Sequence, residues 1–185
     1  QLFDLSGIEK LKSLKKLDAS FIYRIDKFPY ANKLEELNLT HVDDISRTLL
    51  HIPIHNSLKQ LDLSYNKNPN LNYLIVHNKA ANTYLLRFPN LQSFKLIDCS
   101  LTSAFALQNY NQLTELDLSS NKLIGSSFLI NYDKLNSLSI SSNELETLTF
   151  SPKQNTIKTL NISYNPKLED FSGLKELNNI ENLYV

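Results

Sequence analysis

The chain has 185 residues, with 19 Lys and Arg against 19 Asp and Glu, so its formal net charge is 0. This balance excludes the electrostatic pull toward nucleic acid or an anionic membrane that a basic chain exerts, and no apolar run approaches the roughly 20 residues of a membrane-spanning helix. One cysteine excludes an internal disulfide framework, and the three glycines are too scattered to form a phosphate-cradling loop.

From the N-terminus, Asp4-Leu-Ser-Gly7-Ile8-Glu-Lys-Leu11 leads into Leu14-Lys-Lys-Leu17-Asp-Ala19. Alternation of apolar and polar residues there predicts a short strand with one buried face. The pattern returns as Leu34-Glu-Glu-Leu37-Asn-Leu39 and Leu58-Lys-Gln-Leu61-Asp-Leu63, and then at Leu91, Leu113, Leu135 and Ile157 in steps of 22. Three residues beyond the last strand leucine or isoleucine stands Asn66, Cys99, Asn121, Asn143 or Asn165, but the first two repeats place Ile22 and Val42 there. Buried backbone groups near Ile22 and Val42 then need other partners or cost roughly 1–3 kcal/mol each, so local irregularity is expected at both. At the far end Asp170-Phe-Ser-Gly173-Leu174-Lys-Glu-Leu177 repeats the N-terminal segment and leads into Ile180-Glu-Asn-Leu183.

Two intervals are long: 24 residues from Leu34 to Leu58 and 33 from Leu58 to Leu91. In the second, Leu74, Ala81, Tyr84, Leu85 and Phe88 recur at helical spacing between a capping Asn72 and Pro89, predicting an amphipathic helix over 73–87 within an insertion at 72–88. A shorter helical turn is expected from Asp44 to Leu50, with Asp43-Asp44 opening it rather than forming a catalytic carboxylate pair. His51 and His55 have i,i+4 spacing, but Pro53 between them breaks the helix a metal site would need, so they read as an exposed linker.

The run L-x-x-L-x-L-x-x-N/C-x-L, as in Leu113-Thr-Glu-Leu116-Asp-Leu118-Ser-Ser-Asn121-Lys-Leu123, is the signature of leucine-rich repeats. With its paired end segments the chain resembles their short 22-residue class, that of the phosphatase regulator SDS22 and the bacterial internalins. The resemblance implies an α/β fold: a right-handed, curved leucine-rich repeat solenoid with a parallel sheet on the concave face. Loops, 3₁₀ turns and one or two short helices would form the convex face. Residues 1–185 read as a single domain of about seven repeats and a truncated eighth, stable only when stacked. A sequence that opens with Gln, contains no Met and stops at the last strand leucine reads as part of a longer protein.

In such repeats the Asn or Cys column (Asn66, Cys99, Asn121, Asn143, Asn165) hydrogen-bonds the backbone of neighbouring coils, and the variable strand positions line the concave face. Repeats five and six present mostly Ser there. The first four present Phe21, His41 and Tyr65 in one column beside Asp62, Lys95 and Asp98, with Tyr164 further along. Aromatic rings among charges are the composition of an interaction hot spot. These seven residues are the candidate partner-binding patch. No nucleophile with its base, metal ligand set or cofactor motif is present, so the expected function is binding of a protein partner, without nucleic acid, membrane insertion or cofactor. Two other readings stay open: the recognition arm of a multidomain enzyme, such as a ubiquitin ligase or signalling enzyme, and a bacterial surface adhesin for host protein or glycan. The sequons Asn38-Leu-Thr40 and Asn161-Ile-Ser163 would place glycans on the concave face, which points away from a eukaryotic secretory route and toward a cytoplasmic or bacterial protein.

Overall fold

The computed structural model describes residues 2–71, 87–151 and 154–185. In chain order its elements are β1 (Leu2–Asp4), β2 (Lys16–Asp18), β3 (Arg24–Lys27), β4 (Glu36–Asn38), α1 (Ile45–His51), β5 (Gln60–Asp62), β6 (Ser93–Lys95), β7 (Glu115–Asp117), β8 (Ser137–Ser139), β9 (Thr159–Asn161) and β10 (Asn182–Tyr184). Strands β2 and β4 to β10 form one parallel sheet whose spatial order is the chain order. Its register pairs Leu17, Leu37, Leu61, Phe94, Leu116, Leu138, Leu160 and Leu183 across successive strands. Both long intervals leave this register intact, so the extra residues are taken up away from the sheet.

Every coil contributes the same apolar positions to one continuous core. Leu34, Leu37, Leu39, Leu58, Leu61, Leu63 and their counterparts through Ile162 are buried, each side chain contributing roughly 1.5–3 kcal/mol. Coils return through 3₁₀ turns at Ile8–Lys10, Phe105–Asn109, Ser127–Asn131 and Ser172–Glu176. The two similar end segments need their glycines for different reasons. Gly7 has φ 110°, a conformation that side chains disfavour, whereas a Cβ on Gly173 would lie 2.3 Å from the Leu148 carbonyl oxygen.

Where Ile22 replaces Asn, the irregularity is a second, two-stranded parallel sheet in which β1 pairs with β3. Ile25 N–H donates to Thr48 Oγ1 of α1 at 3.0 Å. At Val42 the structure differs from the expected disruption: Val42 is buried and its N–H donates to Asn66 Oδ1 of the next coil at 2.6 Å. Helix α1 begins after Asp44, whose carboxylate accepts from Arg47 N–H.

A further expectation is corrected. His55 is not in an exposed linker; it is 1% exposed, with Nδ1 2.9 Å from Pro53 O and Nε2 accepting from Ala31 N–H at 3.4 Å. Phe28 and Tyr30 pack on its ring, from the previous coil and thus invisible to local spacing. After β5, residues 69–71 are helical, with Pro69 at the first helical position and the Asn68 side chain accepting from Asn70 N–H. The expected cap at Asn72 and the expected 73–87 helix up to residue 86 lie outside the described residues.

Candidate partner-binding face

Seven consecutive coils bend at the same point after the strand. Phe21, His41, Tyr65, Asp98, Ser120, Ser142 and Tyr164 all have positive φ, between 52° and 62°. Left-handed backbone costs roughly 1–2 kcal/mol per non-glycine residue, so something must hold it. Upstream, the last strand residue supplies a side-chain acceptor for the N–H two residues on: Asp18 for Ser20, Asn38 for Thr40, Asp62 for Ser64, Asp117 for Ser119 and Asn161 for Ser163, at 2.9–3.1 Å. Downstream, the N–H of the left-handed residue donates to the next coil: Phe21 to Thr40 O, His41 to Ser64 O, Tyr65 to Ile97 O and Asp98 to Ser119 O. At Phe21, His41, Tyr65 and Ser120 the turn is therefore locked from both sides, and at Asp98 and Ser142 by the bond to the next coil.

This geometry sets the side chains of the column one above another at the strand repeat. Phe21 and His41 stack with centroids 4.4 Å apart and planes 11° apart; His41 and Tyr65 follow at 4.8 Å and 20°. The second spacing matches the roughly 4.7–4.9 Å between neighbouring strands and the first is slightly shorter. The rings are exposed, Phe21 by 75% and Tyr65 by 45%. Asp98 is next in the column, and its carboxylate lies 2.9 Å from Lys67 Nζ. Sequence reasoning missed Lys67 because it stands beyond the Asn column, outside the strand positions. Tyr164 is 82% exposed but separated from the three rings by Asp98, Ser120 and Ser142, so it is not brought to the same patch.

On the sheet beside the stack lies a shallow groove lined by Lys16, Asp18, Glu36, Asn38, Asp62 and Lys95. Lys16 pairs with Glu36 at 2.8 Å, and Glu35 bridges Lys15 and Lys59 at 3.1 and 2.8 Å. Hydrogen bonds from Lys59 and Lys15 hold the Glu35 carboxyl below its ordinary pKa. Strand register sets Lys95 between Asp62 and Asp117.

The inner column faces the core instead. Asn121 Nδ2 donates to Leu96 O and Leu118 O at 2.7 and 2.9 Å, while its Oδ1 accepts from Cys99 and Leu101 N–H, both at 3.0 Å. Asn66, Asn143 and Asn165 likewise bridge two coils. Cys99 Sγ donates to Leu63 O at 3.2 Å, and burial pushes the thiol pKa up to about 12, leaving an inert neutral thiol. Over repeats five and six the serines satisfy one another: Ser119 Oγ is 2.6 Å from Ser139 Oγ and 3.1 Å from Ser141 Oγ.

Among the described residues no group of three His, Cys, Asp or Glu side chains converges to hold a metal ion, and no helix is long and apolar enough to cross a membrane.

A family model described as a leucine-rich repeat matches residues 111–127, the fifth coil. Among solved structures, that of a TLR13–ssRNA13 complex superposes with a TM-score of 0.65 at 22% identity, over 95% of this chain and 26% of that one. An internalin of Listeria monocytogenes, InlF, gives 0.44 at 17% identity over 97% and 63% of the two chains. A leucine-rich repeat protein of Leptospira interrogans gives 0.45 at 18% over 100% and 64%. The chain thus spans about a quarter of the first and under two thirds of the other two. No curated protein matches it.

Proposed function

Because the chain is a leucine-rich repeat protein, folded as a solenoid with one continuous parallel sheet, we propose that it is a protein-interaction module. It grips a partner through the concave face of its first four coils and performs no chemistry of its own. The observation that carries this reading is the exposed stack of Phe21, His41 and Tyr65. Three rings lined up on a left-handed column expose a contiguous apolar edge, which in a monomer is unfavourable unless something covers it. Charged groups surround the stack at Asp62, Lys95, Asp98 and Lys67, giving the polar rim that a hot spot requires. Carboxylates beside the rings favour protein over nucleic acid, whose phosphates they would repel. Tyr164 is assigned to a separate, more distal contact.

A pull-down with the chain as bait, read by mass spectrometry, tests the reading. Phe21→Ala with Tyr65→Ala should remove the captured partner, and Ser120→Ala with Ser142→Ala should retain it. Both pairs lie on the solvent side of the strands and should leave the circular dichroism spectrum unchanged. Equal loss in the two variants, or equal retention, refutes the assignment of the patch.

A further inference from the structure

The middle ring of the stack is the one that can change its charge. His41 lies between Phe21 and Tyr65, with centroids 4.4 and 4.8 Å away and planes 11° and 20° apart, so both faces of the imidazole are covered. The residue is nonetheless exposed, and the part that meets solvent is the ring edge with its nitrogens. Among the described residues these nitrogens have no hydrogen-bond or ion-pair partner. Imidazole is the side chain whose charge ordinarily changes between about pH 5 and 8. With a neutral ring the column presents a continuous apolar edge; with a protonated one the same edge carries a positive charge at its centre.

The charged groups of the coils packed against His41 fix the sign of the effect. Along the strands Lys15, Lys16 and Lys59 are engaged by Glu35 and Glu36. Beyond Tyr65, Lys67 is tied to Asp98, and on the histidine's own coil Asp44 is tied to Arg24 and Arg47. Asp18 of coil one, Asp43 of coil two and Asp62 of coil three are in no ion pair among the described residues. An uncharged or basic partner surface fits this neighbourhood, whereas an acidic one meets three carboxylates.

We propose that His41 is the pH-sensing residue of the partner-binding column and that its protonation releases the partner. A surface that covers the stack strips water from the ring edge, which costs little for a neutral ring and much for an imidazolium left without a counter-charge. A basic partner meets like charge in addition, so both kinds of partner are held less tightly in acid. The inference rests on the reading of the column as the partner-binding surface and adds the regulation of that same surface. His41→Phe removes the titrating group and keeps the column, because phenylalanine already occupies this turn in coil one, at φ 55° against 54° for His41.

The test is an NMR titration of the ¹⁵N-labelled chain at pH 7.5 and pH 5.5 with Ac-Leu-Leu-NH₂, a neutral apolar probe with no group that titrates in that range. Saturable shifts of the Phe21, His41 and Tyr65 amides are expected at both values, with affinity about fivefold lower at pH 5.5. His41→Phe should bind the probe equally at both. His55→Gln, which removes the buried histidine of the neighbouring loop, should keep the difference. Equal affinity of the unaltered chain at the two pH values, or tighter binding in acid, overturns the sensor while leaving the column as a binding surface. A pH dependence that persists in His41→Phe belongs to another group and overturns it likewise. If the probe shifts none of the three amides at either pH, the column is not an apolar docking surface, and the inference falls with that reading.

Discussion

Coils one to three and coils five to seven follow one backbone plan but fill it differently. In the later coils each left-handed turn carries Ser or an isolated Tyr, and the inner column is an unbroken run of Asn121, Asn143 and Asn165 bridging successive coils. In coils one and two the inner column is Ile22 and Val42, with Asn66 of coil three reaching back to Val42 N–H and Leu39 O, and further stability is supplied elsewhere. The small β1–β3 sheet, Thr48 on Ile25 and the surface pairs of Lys15, Lys16 and Lys59 with Glu35 and Glu36 take over. The same coils carry the exposed rings. The half of the solenoid that carries the exposed ring stack is thus the half with fewer buried bridging amides, while the serine half is laced inside and self-satisfied outside.

The largest test of that contrast is Asn121→Ala. Removing the amide strands Cys99 and Leu101 N–H and the Leu96 and Leu118 carbonyls in a dry core, and the loss should be about 3–4 kcal/mol. Chemical denaturation followed by circular dichroism measures it. Val42→Ala, at the equivalent place in the second coil, removes only two methyl groups from a buried site and should cost about 1–2 kcal/mol. Losses of equal size would mean that the inner amides are no more important to the later coils than simple packing is to the early ones.

A smaller effect sharpens the comparison through pH. Burial lowers the pKa of His55, and the ring is held neutral because Nε2 must accept from Ala31 N–H. The unfolded chain takes up a proton near pH 6.5 and the buried ring resists it. The stabilisation is therefore complete above that pH and is lost as the pH falls toward the lowered folded value. The urea midpoint should drop between pH 7.5 and 5.5, and His55→Gln should flatten the drop. Hydrogen exchange should locate the loss at residues 28–31 in the early coils, not around Ser139 or Ser141. A uniform loss across both halves would sink the idea.

Much of this architecture is legible in the chain because it is periodic. Leucine spacing specifies the strands and their register, and the register survives the 33-residue interval because pairing depends on the strand residues rather than on the length of the return. The aromatic column is legible as a column, but not as a stack. Treating the fifth motif position as free surface hides the fact that Asp18, Asn38, Asp62, Asp117 and Asn161 serve as turn acceptors. The available signal is the recurring Asp/Asn-x-Ser/Thr, which marks the turn that forces the next residue left-handed. His55 is illegible for another reason: Phe28, Tyr30 and Ala31 reach it from one coil away, so no window around His55 contains its environment.

The finest test compares two glycine substitutions in that left-handed column. Ser142→Gly relieves a backbone held at φ 53° and gives up only an exposed hydroxyl, so it should stabilise the chain by about 1 kcal/mol. His41→Gly relieves the same strain at φ 54° but removes the middle ring of the stack. The two lost contacts are worth about 0.5–1.5 kcal/mol each, which cancels or reverses the gain. Thermal melts of the two variants decide what the rings are for. If His41→Gly raises Tm as much as Ser142→Gly, the stack contributes nothing to folding, which supports the proposal that the rings serve recognition. If His41→Gly lowers Tm, the rings also brace the coils that lack the inner Asn, and recognition and stability share the same side chains.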